Sequence, residues 1–190
     1  MVSKRYEIRL AGTGGQGLLL AGLLLAEAAA IHDGKFVAQS QAYAPFARGG
    51  ASSSEVIIGD EEIDYPRVTR PHLVVALSQP AYDAYSHDVR RDGIIIVDSS
   101  TVETFETESD RHHRTLAVPI TDIAVKTTGR ALTASIVSLG IVAEVSGVVT
   151  NGALLKAIAS RSPRGSADVN QRAVEAGFSM GLELKAEIRA

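Results

Sequence analysis

The sequence predicts an α/β fold: a mainly parallel open sheet with helices on both faces, an inserted β-hairpin and a helical C-terminal third. Three observations predict it. Strand-like and helix-like segments alternate over the first two-thirds of the chain. The runs Leu73-Val74-Val75-Ala76-Leu77 and Ile94-Ile95-Ile96-Val97 are continuously apolar and β-branched, as strands covered on both faces are. After Ala131 the chain reads as successive helical segments punctuated by glycines and cap residues.

Each element has its own signal. Tyr6 to Ala11 is a short apolar strand, and Gly12-Thr13-Gly14-Gly15-Gln16-Gly17 turns it into an apolar helix from Leu18 to Ala30. A second strand, Phe36 to Gln39, follows the turn Asp33-Gly34 and runs into a long loop, Ser40 to Gly50. Ser54 to Ile58 is strand-like, Gly59-Asp60 supplies a turn and Glu61 to Tyr65 returns, which predicts the hairpin. The strand from Leu73 leads to a helix over Ala81 to Arg90, and the strand from Ile94 ends at Asp98-Ser99-Ser100. Leu116 to Val118 is a last short strand before Pro119. Ala131 to Ser146 is an apolar helix with Gly140 inside and Gly147 at its end. Thr150-Asn151 caps a helix from Gly152 to Ser160, and Ser166 or Asp168 caps a final helix through Gly177. No repeat or boundary divides the chain, so a single domain over residues 1–190 is expected.

Composition removes several function classes. Net charge is −3 with no basic stripe, and aromatics are 5% with no Trp. Those figures argue against nucleic acid, base-stacking platforms and anionic membrane surfaces as partners. There is no cysteine, hence no thiolate nucleophile, no disulfide and no thiolate-held iron–sulfur cluster. No signal peptide is expected at the N-terminus, and the segment from Leu18 to Ala30, broken by Glu27, is too short to span a bilayer. A cytoplasmic location is expected.

The glycine turn satisfies G-x-G-x-x-G at Gly12, Gly14 and Gly17, the spacing of a dinucleotide site. Such a site also wants a carboxylate about 20 residues on, at the end of the second strand, to bind ribose hydroxyls. Here that strand ends in Ser40-Gln41-Ala42-Tyr43, and Asp33 precedes it. The dinucleotide reading therefore lacks its acid. The alternative is a tight turn whose glycines let the helix pack closely on the sheet.

The loop after the second strand combines Gln41, Tyr43, Arg48, Gly49, Gly50 and Ser52. Its glycines allow close backbone approach, and Arg48 can grip a carboxylate or phosphate with two parallel hydrogen bonds. An interface loop whose Arg48 pairs within the protein is the competing reading. Metal binding is not expected: His112-His113 point in different directions, and His32, His72 and His87 stand apart. The acidic run Asp60-Glu61-Glu62-Ile63-Asp64 reads as a solvated turn, and Asp98 as a capping residue. No catalytic residue is expected.

Three segments carry a resemblance: RLAGTGGQGLLLAGLLLAEAA, QSQAYAPFARGGASSSEVIIGDEEIDYP and LGIVAEVSGVV. On these segments, and with a similarity that runs through almost the whole chain, the chain resembles the gamma subunit of 2-oxoacid:ferredoxin oxidoreductases (the pyruvate, 2-oxoglutarate and 2-oxoisovalerate enzymes). The resemblance implies a complex that oxidatively decarboxylates a 2-oxoacid to its acyl-CoA and passes electrons to ferredoxin. It implies alpha and beta subunits holding thiamine diphosphate, a ferredoxin-like delta subunit, 4Fe–4S clusters on other chains, and coenzyme A as acyl acceptor. None of these cofactors would be held by this chain alone. The residues it carries over near substrate, cofactor or interface are Gly12, Gly14, Gly15, Gln16, Gly17, Gln41, Tyr43, Arg48, Gly49, Gly50 and Ser52. Many relatives have Gly, Glu and Asn where this chain has Ala44, Phe46 and Ser135, so the substrate is left open. Two alternatives stand beside this reading: a free-standing NAD(P)- or flavin-binding oxidoreductase, and a purely structural assembly module. The isolated chain is a possible homo-oligomer.

Overall fold

The computed structural model describes residues 5–43, 50–106, 113–162 and 165–189. Its strands are β1 (Arg5–Thr13), β2 (Phe36–Tyr43), β3 (Ala51–Gly59), β4 (Leu73–Ala76), β5 (Ile94–Asp98) and β6 (Arg114–Val118). Its α-helices are α1 (Leu18–Glu27), α2 (Gln79–Tyr85), α3 (Ile120–Thr128), α4 (Ala134–Ser146), α5 (Asn151–Arg161) and α6 (Ala167–Arg189). The six strands form one sheet in the order β2-β3-β1-β4-β5-β6. β1, β4, β5 and β6 are successive parallel neighbours, while β3 runs antiparallel between β1 and β2. The mainly parallel α/β class therefore holds.

Alternation along the strands sorts the sheet into two unequal faces. Ile8 and Leu10 of β1, Val56 and Ile58 of β3, Leu73 and Val75 of β4 and Leu116 and Val118 of β6 enter one large core with α1, α3, α4, α5 and α6. The opposite face is covered around α2, where Tyr82 and Val102 meet Ala76, Ile95 and Val97. On that face Arg9 is buried. Its Nε donates to Glu55 Oε1 at 2.9 Å and its Nη1 to Asp88 Oδ2 at 2.6 Å, with its guanidinium 4.8 Å from the centre of the Tyr85 ring. Both carboxylates are thereby committed, which removes the cost of burying an unpaired charge.

The expected hairpin does not form. Residues 61–65 carry no strand, and β3 pairs with β2 on one side and β1 on the other. A nine-residue register against β1, from Arg5↔Gly59 to Thr13↔Ala51, outcompetes a local return whose three carboxylates, Glu61, Glu62 and Asp64, remain exposed in water. The loop expected over Ser40 to Gly50 also shrinks, because β2 continues to Tyr43 and β3 begins at Ala51. At its end α1 widens into a π-helical turn, Ala28–His32. Helix α2 gives way to a 3-10 turn at Ser86–Asp88, and α3 has no counterpart among the expected elements.

Candidate functional site

The carboxyl ends of β1 and β2 and the start of β3 meet at one end of the sheet. The register sets Ser52 opposite both Gly12 and Tyr43, and Gln41 opposite Ser54. Residues forty apart in sequence thus share one rim. They line a cleft of about 370 Å³ whose walls include Thr13, Gly14, Gly15, Gln16, Gly17, Leu19, Gln41, Ser52 and Leu132. The structure therefore brings the glycine turn together with Gln41 and Ser52. Gly50 lies just before β3 and the backbone of Tyr43 ends β2. Arg48 and Gly49 lie outside the described residues.

Each residue of the turn has a separate physical role. Gln16 folds back: its Oε1 accepts from the Thr13 amide at 2.6 Å and its Nε2 donates to the Leu77 carbonyl at 2.9 Å. It clamps the turn to the end of β4, so its amide is spent on structure rather than aimed into the cleft. A side chain on Gly12 would collide with that clamp, its Cβ 2.2 Å from Gln16 Oε1. Gly15 and Gly17 have φ of +91° and +77°, conformations that L side chains resist. Gly17 also rests on Ser135, where an added Cβ would lie 2.9 Å from Oγ. Gly14 alone has neither constraint: its φ is not positive and its Cβ position is open.

Two features of this rim were not read from sequence. Leu132, 61% exposed, stands between the cleft and a second hollow of about 190 Å³ that Gly17, Arg130, Ser135 and Asn170 help to line. Ser54 lies so close under Gly22 that a Cβ there would fall 1.9 Å from its Oγ. Both come from long-range packing that no local pattern reports.

The described walls of the main cleft carry no charged side chain. They offer backbone amides of the turn and the first turn of α1, which Gly17 caps without a side-chain acceptor, together with hydroxyl and amide groups and the leucine rim. Such a surface can bind and orient; among the described residues it holds nothing that moves a proton. It also departs from a dinucleotide site. There the second strand lies beside the first, whereas here β3 separates β2 from β1.

The other singled-out residues lie elsewhere. Asp98 is fully buried and accepts from the amides of Ser100 and Thr121 at 3.1 and 3.2 Å, and from the Thr121 hydroxyl. It caps the first turn of α3, as its position at a strand end suggested. Asp60 is exposed, with one carboxylate oxygen 3.5 Å from Lys35 Nζ. His72 stacks on Tyr6 at 4.6 Å between ring centres, accepts at Nδ1 from the Glu7 amide at 3.1 Å and touches Arg90. Burial, then the Arg90 charge, holds its pKa below the usual value, and burial pushes Tyr6 up to about 12. This cluster sits at the amino end of β4, away from the glycine turn. His112 lies outside the described residues, and His113 is buried. Among the described residues no three His, Asp or Glu side chains gather as a metal site would need.

The chain matches the family model described as pyruvate ferredoxin/flavodoxin oxidoreductase over residues 7–180. The 2-oxoglutarate synthase subunit KorC of Methanocaldococcus jannaschii is 41% identical, over 96% of this chain and 97% of its own. The pyruvate synthase subunit PorC of Methanothermobacter marburgensis is 33% identical over 90% of this chain. Among solved structures, the gamma subunit of a keto/oxoacid ferredoxin oxidoreductase from Geobacter sulfurreducens superposes with a TM-score of 0.85 at 43% identity, covering 95% of this chain and 98% of its own. The 2-oxoglutarate:ferredoxin oxidoreductase of Magnetococcus marinus, solved with 2-oxoglutarate, coenzyme A and succinyl-CoA, shares the fold at a TM-score of 0.81 and 19% identity; the match takes up 31% of that longer chain.

Proposed function

The chain belongs to the pyruvate ferredoxin/flavodoxin oxidoreductase family, and on that premise we propose that it is the gamma-type subunit of a multi-subunit 2-oxoacid:ferredoxin oxidoreductase. The observation that carries the reading is similarity along nearly the whole chain to separately named subunits of 2-oxoacid enzymes. In this reading residues 1–190 act as one domain of a cytoplasmic complex; among the described residues no helix is long and apolar enough to cross a membrane. The complex decarboxylates a 2-oxoacid, transfers the acyl group to coenzyme A and delivers electrons to ferredoxin. The 2-oxoglutarate synthase relatives make 2-oxoglutarate the first substrate to assay.

This chain's part is binding and positioning. Alpha and beta subunits hold thiamine diphosphate, and a ferredoxin-like delta subunit holds the 4Fe–4S clusters. A chain without cysteine supplies no thiolate to such a cluster, which fits that division of labour. The residues proposed to meet substrate, cofactor or a neighbouring subunit are Gly12, Gly14, Gly15, Gln16, Gly17, Gln41, Tyr43, Arg48, Gly49, Gly50 and Ser52. Gln16 and Gly12 shape the described part of the rim, while Gly14 and Gln41 are exposed there. Described walls without a charged side chain, together with the single guanidinium that the sequence offers at Arg48, suit a ligand or partner loop with one anionic group and an apolar body.

The test is Arg48→Ala in the assembled complex. Turnover is expected to fall at least tenfold, about 1.4 kcal/mol, with subunit stoichiometry unchanged. Unchanged turnover in an intact complex would leave the chain a structural module only.

A further inference from the structure

The sheet ends at β2 with an edge that nothing in the described residues covers. β2 pairs with β3 alone, so one row of its backbone amides and carbonyls faces outward over eight residues. From Phe36 to Tyr43 the strand contains no charge, no proline and no glycine. Exposed edges are ordinarily blunted by just those residues or by a bulge, because an open ladder recruits another strand. Phe36 at its start is 49% exposed.

The neighbouring helix repeats the pattern. Leu18, Gly22 and Leu25 of α1 are buried against the sheet, which turns Leu19, Leu23 and Ala26 to one flank of the helix. Leu20 points to the other flank, where it lines the smaller hollow with Ile136 of α4. The flank of Leu19, Leu23 and Ala26 is therefore the one over β2, and it too is uncharged.

What fits such an edge is written in the strand. Ala38-Gln39-Ser40-Gln41-Ala42 reads the same in both directions. An antiparallel pairing about a two-fold axis at Ser40 sets Ala38 opposite Ala42, Gln39 opposite Gln41 and Ser40 opposite itself, with Val37 opposite Tyr43 beyond. A self-pairing edge must tolerate like against like. A charged palindrome would repel itself, whereas this one sets only uncharged side chains opposite one another. The same symmetry brings the two uncharged α1 flanks to the same side of the joined sheet.

We propose that β2 is an interface between two copies of this chain, joined antiparallel at Ser40 into one continuous sheet. The proposal shares Leu19, Gln41 and Tyr43 with the cleft and contact residues above, but its test reads the mass of the full chain by itself and needs neither assembly nor turnover. The absence of cysteine makes single-cysteine crosslinking unambiguous. Sedimentation of the unmodified chain at tens of micromolar is expected to show twice the chain mass. Ser40→Cys is expected to form a covalent dimer on mild oxidation, while Ala117→Cys, exposed on the opposite edge strand β6, is not. A chain of single mass at these concentrations, the result expected if a different protein supplies the neighbouring strand, would overturn the proposal. So would a two-chain species that Ser40→Cys fails to crosslink, or one that crosslinks through Ala117→Cys.

Discussion

At the scale of single residues, the glycine turn separates what folding requires from what a partner could require. Gly17 has positive φ and sits on Ser135. Gly17→Ala is expected to cost about 2 kcal/mol, read as a lowered denaturation midpoint. Gly14 has open space and ordinary φ, so Gly14→Ala is expected to leave stability within about 0.5 kcal/mol. If the rim receives a ligand or partner loop, the same Gly14→Ala lowers turnover of the assembled complex; unchanged turnover would remove Gly14 from the contact surface. His72 gives a pH dependence with a definite sign. Its folded-state pKa lies below its ordinary 6.5, through burial first and Arg90 second. The unfolded chain therefore binds the proton more readily. His72 contributes stability above about pH 6.5, and this is lost as pH falls through that value towards the lower folded pKa. The geometry agrees, because protonated Nδ1 can no longer accept from the Glu7 amide. Denaturation midpoints of the native chain are expected to drop between pH 7 and 5 more steeply than those of His72→Gln. Parallel curves would contradict this.

At the scale of elements, legibility followed the range of the forces. The turn at Gly12–Gly17, the buried strands β4 and β5, the Thr150 cap and the Gly147 stop of α4 were readable, because apolar runs, caps and glycine conformations are local. Thr150 does accept from the Ala153 amide, and Gly147 does adopt left-handed φ. Helix α3 was not readable: its Ile, Val and Thr residues are weak helix formers, and its cap, Asp98, comes from another strand. β3 was read as half of a local hairpin because nothing in its own sequence names β1 as its partner. Nor did the sequence place Gln41 and Ser52 in strands, although it singled out both. The crossing of α4 and α6 was hidden as well. Gly140 and Gly177 admit the facing backbone so closely that a Cβ on Gly177 would lie 2.1 Å from the Val137 carbonyl oxygen. This contact explains why α6 continues to Arg189, far past the expected end at Gly177: that glycine is a packing position, not a stop. Gly177→Ala is expected to destabilise the chain by about 3 kcal/mol, whereas Gly152→Ala, with open space around it, should not destabilise it. Equal effects of the two in thermal unfolding would refute this packing account.

At the scale of the whole molecule, one large core holds the sheet rigid, and the proposed contact rim lies at one end of that sheet. Five helices pack on one face of the sheet, while the rim that gathers the glycine turn, Gln41 and Ser52 carries no charged side chain among its described walls. Rigid described walls without a charged side chain are suited to shaping a neighbouring active site rather than to performing chemistry, which is the role proposed for a gamma-type subunit. The most direct test of that claim is anaerobic affinity purification of the tagged chain from its own host, followed by an assay of 2-oxoacid- and coenzyme A-dependent reduction of ferredoxin. The account expects thiamine-diphosphate-binding and cluster-bearing chains to co-purify in fixed ratio, with reduction that requires a 2-oxoacid. Recovery of this chain alone or only with copies of itself, and no such reduction, would contradict it.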